Sequence, residues 1–96
     1  MKVQLSEEAE NDLASAYDWY EEKLLDLGVD FLKELVSALD SAKSRPLAFQ
    51  LVYQNYHRLP MRRFPYVILY TYAEREHTLY VYRVFHTGQN PSRWKK

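Results

Sequence analysis

Two runs of β-branched and aromatic residues, Tyr66 to Tyr72 and Thr78 to Phe85, flank the polar stretch Ala73-Glu74-Arg75-Glu76-His77. That is the pattern of an antiparallel strand pair joined by a short connection. It constrains the remaining residues strongly, because a chain of 96 residues supports one core and that core must cover a face of this pair. A fold of this size buries about 60–65% of the surface of its extended chain. We therefore expect a single domain spanning residues 1–96. Hydrophobic residues make up 47% of the sequence, and only 2 Gly and 4 Pro are present, which leaves little room for a disordered linker.

The chain contains no Cys, which excludes disulfides and thiolate metal sites. His57, His77 and His86 have no spacing that suggests a metal centre, and no cofactor motif is present. Without an N-terminal apolar run of signal-peptide or membrane-spanning length, the sequence reads as a soluble cytoplasmic protein. Its formal net charge of 0 argues against direct binding to nucleic acid, which needs an excess of cations. That total hides an asymmetry. Residues 1–48 carry five Lys and Arg against eleven Asp and Glu, a balance of −6, whereas residues 49–96 carry eight against two, a balance of +6. The helical half is thus acidic and the sheet half basic, and the basic surface is the candidate working face.

Val3-Gln4-Leu5 reads as a short strand and Ser6 as the N-cap of a helix whose first turn carries Glu8 and Glu10. Ala9, Leu13, Ala16/Tyr17, Tyr20 and Leu24 form one apolar stripe at helical spacing, with Trp19 just off it. Gly28 stands where a C-terminal glycine would reverse the chain, and a second stripe follows through Phe31, Leu35, Leu39 and Ala42. Pro46 stops that helix, and Leu47 or Phe49 plugs the core. A connector then runs to about Tyr56. His57 to Arg63 is extended, and Pro60 within it suggests an edge or a bulge. The fold class is α+β: a strand, a two-helix hairpin, then three antiparallel strands, with the helices on one face. The tyrosine-rich sets, Tyr66/Ile68/Tyr70/Tyr72 and Tyr80/Tyr82/Val84/His86, are expected on the more exposed face.

Taken together, Leu5-Ser6-x-x-Ala9-x-x-Asp12-Leu13, Tyr17-x-x-Tyr20, Leu27-Gly28-x-x-Phe31-Leu32, Pro46-x-x-Phe49, Arg63-Phe64-Pro65-Tyr66-x-Ile68-x-Tyr70 and Val84-Phe85-His86-Thr87-x-x-x-Pro91-x-x-Trp94 resemble the RelE/ParE superfamily of bacterial toxins, most closely its ParE-like branch. The resemblance implies the toxin of a type II toxin–antitoxin system, a growth inhibitor neutralised by a cognate antitoxin. A homodimer or a heterotetramer with that antitoxin is compatible with it. ParE-like members inhibit DNA gyrase, whereas RelE-like members cleave mRNA on the ribosome. The RelE-like pattern has Arg after the central-strand Tyr and cations after the last strand; Val67 and Thr87-Gly88-Gln89 stand there instead. Those departures remove groups that hold phosphate, and Gly88-Gln89 also lacks the Arg frequent in ParE-like relatives.

For the RelE-like alternative, His86, Arg83 and Arg63 are the candidate catalytic residues, with His86 as general acid or base. Its structural reading is a strand-end histidine, and that of Arg83 is an ion pair to Asp12 or Glu21. For a ParE-like binder, Arg62, Arg63, Tyr66, Arg93 and Trp94 are the candidate contacts to target or antitoxin. A third reading is a non-toxic binding module.

Overall fold

The structure, a computed structural model, describes residues 1–88. Its elements are β1 (Lys2–Leu5), α1 (Glu7–Lys23), α2 (Leu27–Ser44), β2 (Gln50–Leu51), β3 (His57–Pro60), β4 (Tyr66–Ala73) and β5 (Thr78–His86). They build a five-stranded sheet in the order β1-β5-β4-β3-β2. The α+β class holds, with two features the sequence did not signal. β1 runs parallel to β5 at one edge, and the two-residue β2 pairs Gln50 with Arg58 and Leu51 with His57 at the other. Among the described residues no helix is long and apolar enough to cross a membrane.

Ser6 caps α1 as its sequence context suggests. Its Oγ accepts the Ala9 N–H at 3.0 Å and donates to the Tyr82 carbonyl at 2.6 Å, so one hydroxyl both starts the helix and ties it to β5. The apolar stripe ends before Leu24, which is exposed and forms the C-cap. Gly28 is not the reversing residue. Asp26 takes the left-handed conformation at φ 69°, and Gly28 lies inside the first turn of α2. Its role is closeness: a Cβ there would sit 2.8 Å from the Tyr17 carbonyl oxygen, Tyr17 Cδ1 and Glu21 Cγ. The absent side chain lets α2 start against α1. Glu21 then closes the junction, accepting the Gly28 N–H at 2.7 Å and the Asp26 N–H at 3.3 Å. A carboxylate placed on helix-opening N–H groups also suits the positive end of the α2 dipole.

Both helices pack on one face of the sheet. Phe31, Leu35, Leu39 and Ala42 of α2 and Ala9 and Ala16 of α1 are buried there with Leu59, Ile68, Tyr70, Leu79, Val81 and Val84. On β4 this reverses our expectation, since Tyr66, Ile68, Tyr70 and Tyr72 face the helices while Val67 and Leu69 face away. Tyr70 tolerates complete burial because its hydroxyl donates to the Pro46 carbonyl at 2.7 Å. On β5 the register passes from Leu69↔Arg83 to Tyr70↔Val81, so Tyr82 is an extra residue and the alternation inverts after it. Leu79, Val81 and Val84 therefore share the helix side, while Tyr82 and Phe85 lie on the other.

The second face is not left open either. Val67, Leu69 and Phe85 are covered by Tyr53, Tyr56 and Tyr82. Tyr56 stacks on Tyr82 at 4.9 Å between ring centroids, and Tyr53 lies parallel to Tyr56 at 6.4 Å. The presumed plain connector thus contributes β2 and a tyrosine cover. The Pro46–Phe49 plug is held from below, with Phe49 half-buried on the core and its carbonyl accepting the His57 Nδ1 proton at 2.8 Å. Leu47 is exposed. Pro60 sits past the end of the β2 pairing, where its missing N–H leaves no ladder bond unmade.

Candidate functional site

The chain between β3 and β4 is compressed into consecutive tight turns. Phe64 N–H donates to the Arg62 carbonyl at 2.5 Å and Tyr66 N–H to the Phe64 carbonyl at 2.8 Å, while Arg63 adopts φ 59°. Met61 N–H donates to the Tyr66 carbonyl, and Thr87 N–H to the Pro65 carbonyl, closing the turn onto the end of β5. This packing brings Tyr66 and His86 together. Their rings meet edge to face at 5.3 Å, and Tyr66 also contacts Tyr20 at 6.1 Å and Phe31 at 5.0 Å. Burial pushes the Tyr66 hydroxyl pKa up, and Tyr20 and Asp12 reinforce the shift. A phenol so placed stays protonated at neutral pH and serves as a donor rather than a base. His86 Nδ1 accepts the Gly88 N–H at 2.9 Å, which puts the proton of the neutral ring on Nε2.

The three arginines diverge. Arg83 directly follows the bulge residue and forms a two-point pair with Asp12 of α1, Nε to Oδ2 at 2.7 Å and the terminal nitrogen to Oδ1 at 3.0 Å. Asp12 Oδ2 also accepts the Val84 N–H at 2.9 Å. The hydrogen bond to Asp12 raises the Arg83 pKa against the opposing effect of burial, so this cation is permanent. Arg63 turns instead towards α2, 3.8 Å from Asp30 and 3.7 Å from Glu34, with its guanidinium over the Phe64 ring. Arg62 is exposed and has no ion-pair partner among the described residues. Arg93 and Trp94 lie outside the described residues.

The structure therefore joins Tyr66 to His86 and leaves Arg62 open at the neighbouring turn. Arg83 is instead paired with Asp12 of α1, and Arg63 lies beside Asp30 and Glu34 of α2. Sequence reasoning named Asp12 as a partner for Arg83 but missed Tyr20 beside Tyr66 and Tyr53 and Tyr56 over the far face. The helical stripe containing Tyr20 was a usable signal for the first. Nothing in the order of residues marks the second, since it depends on a turn that folds back. Trp19 is exposed on α1 under the Lys23 ammonium, 4.0 Å from the ring centroid.

With this geometry, a helical hairpin on a sheet with an aromatic and basic turn at one end, the chain matches the family described as the ParE toxin of the type II toxin–antitoxin system parDE over residues 3–91. The chain belongs to the ParE toxin family. No curated protein sequence matches this ParE-family toxin significantly. Solved structures do share its fold. The chromosomal ParDE toxin–antitoxin system from P. aeruginosa superposes with a TM-score of 0.76 at 14% identity, covering 90% of this chain and 95% of that one. The isolated E. coli RelE toxin gives a TM-score of 0.67 at 13% identity, covering 96% and 89%. The E. coli RelBE toxin–antitoxin complex gives 0.67 at 13% identity, covering 93% and 98%. The ParE-family toxin is thus the toxin of a type II toxin–antitoxin system, built on the fold common to ParE and RelE.

Proposed function

We propose that this toxin acts in the cytoplasm by binding rather than by cleaving RNA, that DNA gyrase is its target, and that a cognate antitoxin masks it. The observation that carries this reading is the engagement of the cations. Phosphoryl chemistry needs positive groups aimed at the developing charge, yet Arg83 is held by two hydrogen bonds to Asp12, and Arg63 leans towards α2 in a solvent-exposed pair with Asp30 and Glu34. Val67 is buried under the tyrosine cover where a ribonuclease of the superfamily would present an Arg. The ParE family match supports the gyrase target, and the neighbours described as ParDE and RelBE systems support an antitoxin partner.

Purified toxin added to gyrase and relaxed plasmid tests the proposal directly. Supercoiling should stop as toxin saturates the enzyme, and a ribosome-bound mRNA incubated in parallel should stay intact. His86→Ala should arrest growth as the native chain does. Translation-dependent mRNA cleavage that disappears in His86→Ala would overturn the reading and favour the endoribonuclease.

A further inference from the structure

β1 closes one edge of the sheet and pairs only with β5, so its outer side has no strand beside it among the described residues. Lys2 N–H donates to the His77 carbonyl and Ser6 N–H to the Val81 carbonyl. In a parallel pair alternate residues turn both backbone groups to the same neighbour, so Lys2, Gln4 and Ser6 serve β5 while Val3 and Leu5 hold an N–H and a carbonyl each towards the open edge. The side chains alternate as well. Val3 and Leu5 pack on the helix-side core yet stay half-buried, which places Lys2 and Gln4 on the tyrosine side.

On that side lies a hollow of about 230 Å³, with Gln4 and Ser6 on its β1 rim and Tyr56, Tyr80 and Tyr82 around it. Thr71, opposite Tyr80 in the ladder, is short among these large rings and so leaves the space. Among the described residues no Lys or Arg lines the hollow, and the Tyr80 hydroxyl donates to the Glu76 carboxylate. Such a place suits an ammonium on an aliphatic stem, the stem lying along the rings and the charge meeting their electron-rich faces. The edge strand itself supplies one. From Lys2 to Glu7 and Glu8 the charge runs from positive to negative, so the segment is complementary to its own reverse. An antiparallel pairing centred on Gln4 sets Val3 opposite Leu5 of a second copy, where the outward backbone groups exchange both hydrogen bonds and the two apolar side chains meet. Lys2 then falls opposite Ser6 in the closer, non-hydrogen-bonded kind of pair, beside the acidic first turn of α1. From there its side chain extends over Tyr82, whose carbonyl the Ser6 hydroxyl bonds.

We propose that β1 is the contact between two copies of this chain: the strands pair antiparallel about Gln4, the two sheets join, and Lys2 of each copy enters the tyrosine hollow of the other. Twofold symmetry makes every contact twice and closes the assembly at two chains, because both β1 edges are consumed. A lysine on an edge strand blocks association where it meets a like charge; here it meets Ser6, Tyr82 and the carboxylates of Glu7 and Glu8. The opposite edge, β2, offers only the uncharged pair Gln50-Leu51 and no such match. A strand of 4 residues buries little surface, so the dimer is weak and depends on concentration.

Because the chain has no Cys, single cysteines report the register. Gln4→Cys brings two thiols together at the twofold axis, with Cα atoms about 4.5 Å apart, and mild oxidation of the intact chain should yield a covalent dimer. Lys33→Cys, exposed on α2, should stay monomeric under the same conditions. Sedimentation equilibrium of the native chain, purified alone, should show reversible dimerisation. Lys2→Glu should weaken it by about tenfold, whereas Lys33→Glu, an equal change of charge, should leave it as it is. Lys2 is exposed, so its variant keeps the fold, which circular dichroism melts confirm. A monomer at every concentration, cross-linking no faster at Gln4→Cys than at Lys33→Cys, or a dimer indifferent to Lys2→Glu would overturn the proposal.

Discussion

Removing the Asp12 carboxylate isolates the contact that joins the helical hairpin to the bulge of β5. Asp12 accepts two bonds from Arg83 and one from Val84 N–H, and the two side chains are only 24% and 16% exposed. Breaking a buried pair by deleting one partner costs about 3–5 kcal/mol, mostly because the surviving charge is stranded. Partial exposure at Arg83 lets water recover some of that, which brings the expected cost of Asp12→Ala to about 3 kcal/mol. For a domain of this size such a loss lowers Tm by roughly 12–24 °C. Urea titration at neutral pH, followed by circular dichroism, measures it, and the double variant Asp12→Ala/Arg83→Met supplies the control. With the stranded cation gone, the double variant should recover about 2 kcal/mol of the loss. A single-variant cost under about 1 kcal/mol, or a double variant as destabilised as the sum of its parts, would refute the reasoning.

Gly28→Ala should lose about 1–3 kcal/mol in the same denaturation assay, although alanine is the better helix former, because the added Cβ meets the immovable Tyr17 carbonyl at 2.8 Å. Burial pushes the Tyr70 hydroxyl from 10.0 up to about 12. Below pH 10 the phenol is protonated in both states and stability is unaffected; between the two values only the unfolded chain ionises, so stability falls as pH rises, by on the order of 2–3 kcal/mol. Alkaline urea titrations check this, and Tyr70→Phe should remove that part of the pH dependence while costing about 1 kcal/mol at neutral pH through its bond to Pro46. Ser6→Ala deletes both the α1 cap and the tie to Tyr82 and should cost about 1–2 kcal/mol, read as a shift in Tm.

The helices were legible because their apolar residues repeat locally, and Phe31, Leu35, Leu39 and Ala42 lie buried in the order their spacing implies. The sheet faces were not. A single extra residue, Tyr82, inverts the alternation halfway along β5, and local sequence does not mark where a ladder skips. Tyr70 looked like a half-solvated tyrosine because its hydrogen-bond partner, the Pro46 carbonyl, lies 24 residues away. Of the candidate site residues, the Arg83–Asp12 pair was visible as one of two charge pairings. The capture of Arg63 by α2 was not, since it depends on the φ 59° turn that aims the side chain backwards.

The parallel pairing of β1 with β5 has a consequence for how the chain is made. Lys2 meets Thr78, and the Ser6 hydroxyl bonds a carbonyl 76 residues later, so β1 waits for β5. Until Thr78 to His86 emerge, β1 lacks its neighbour, β4 lacks one side and Asp12 lacks its arginine. Contacts this distant in sequence form late and slowly. A nascent chain halted anywhere before β5 therefore holds a helical hairpin over an unfinished sheet, and the folded toxin forms only once β5 has been made.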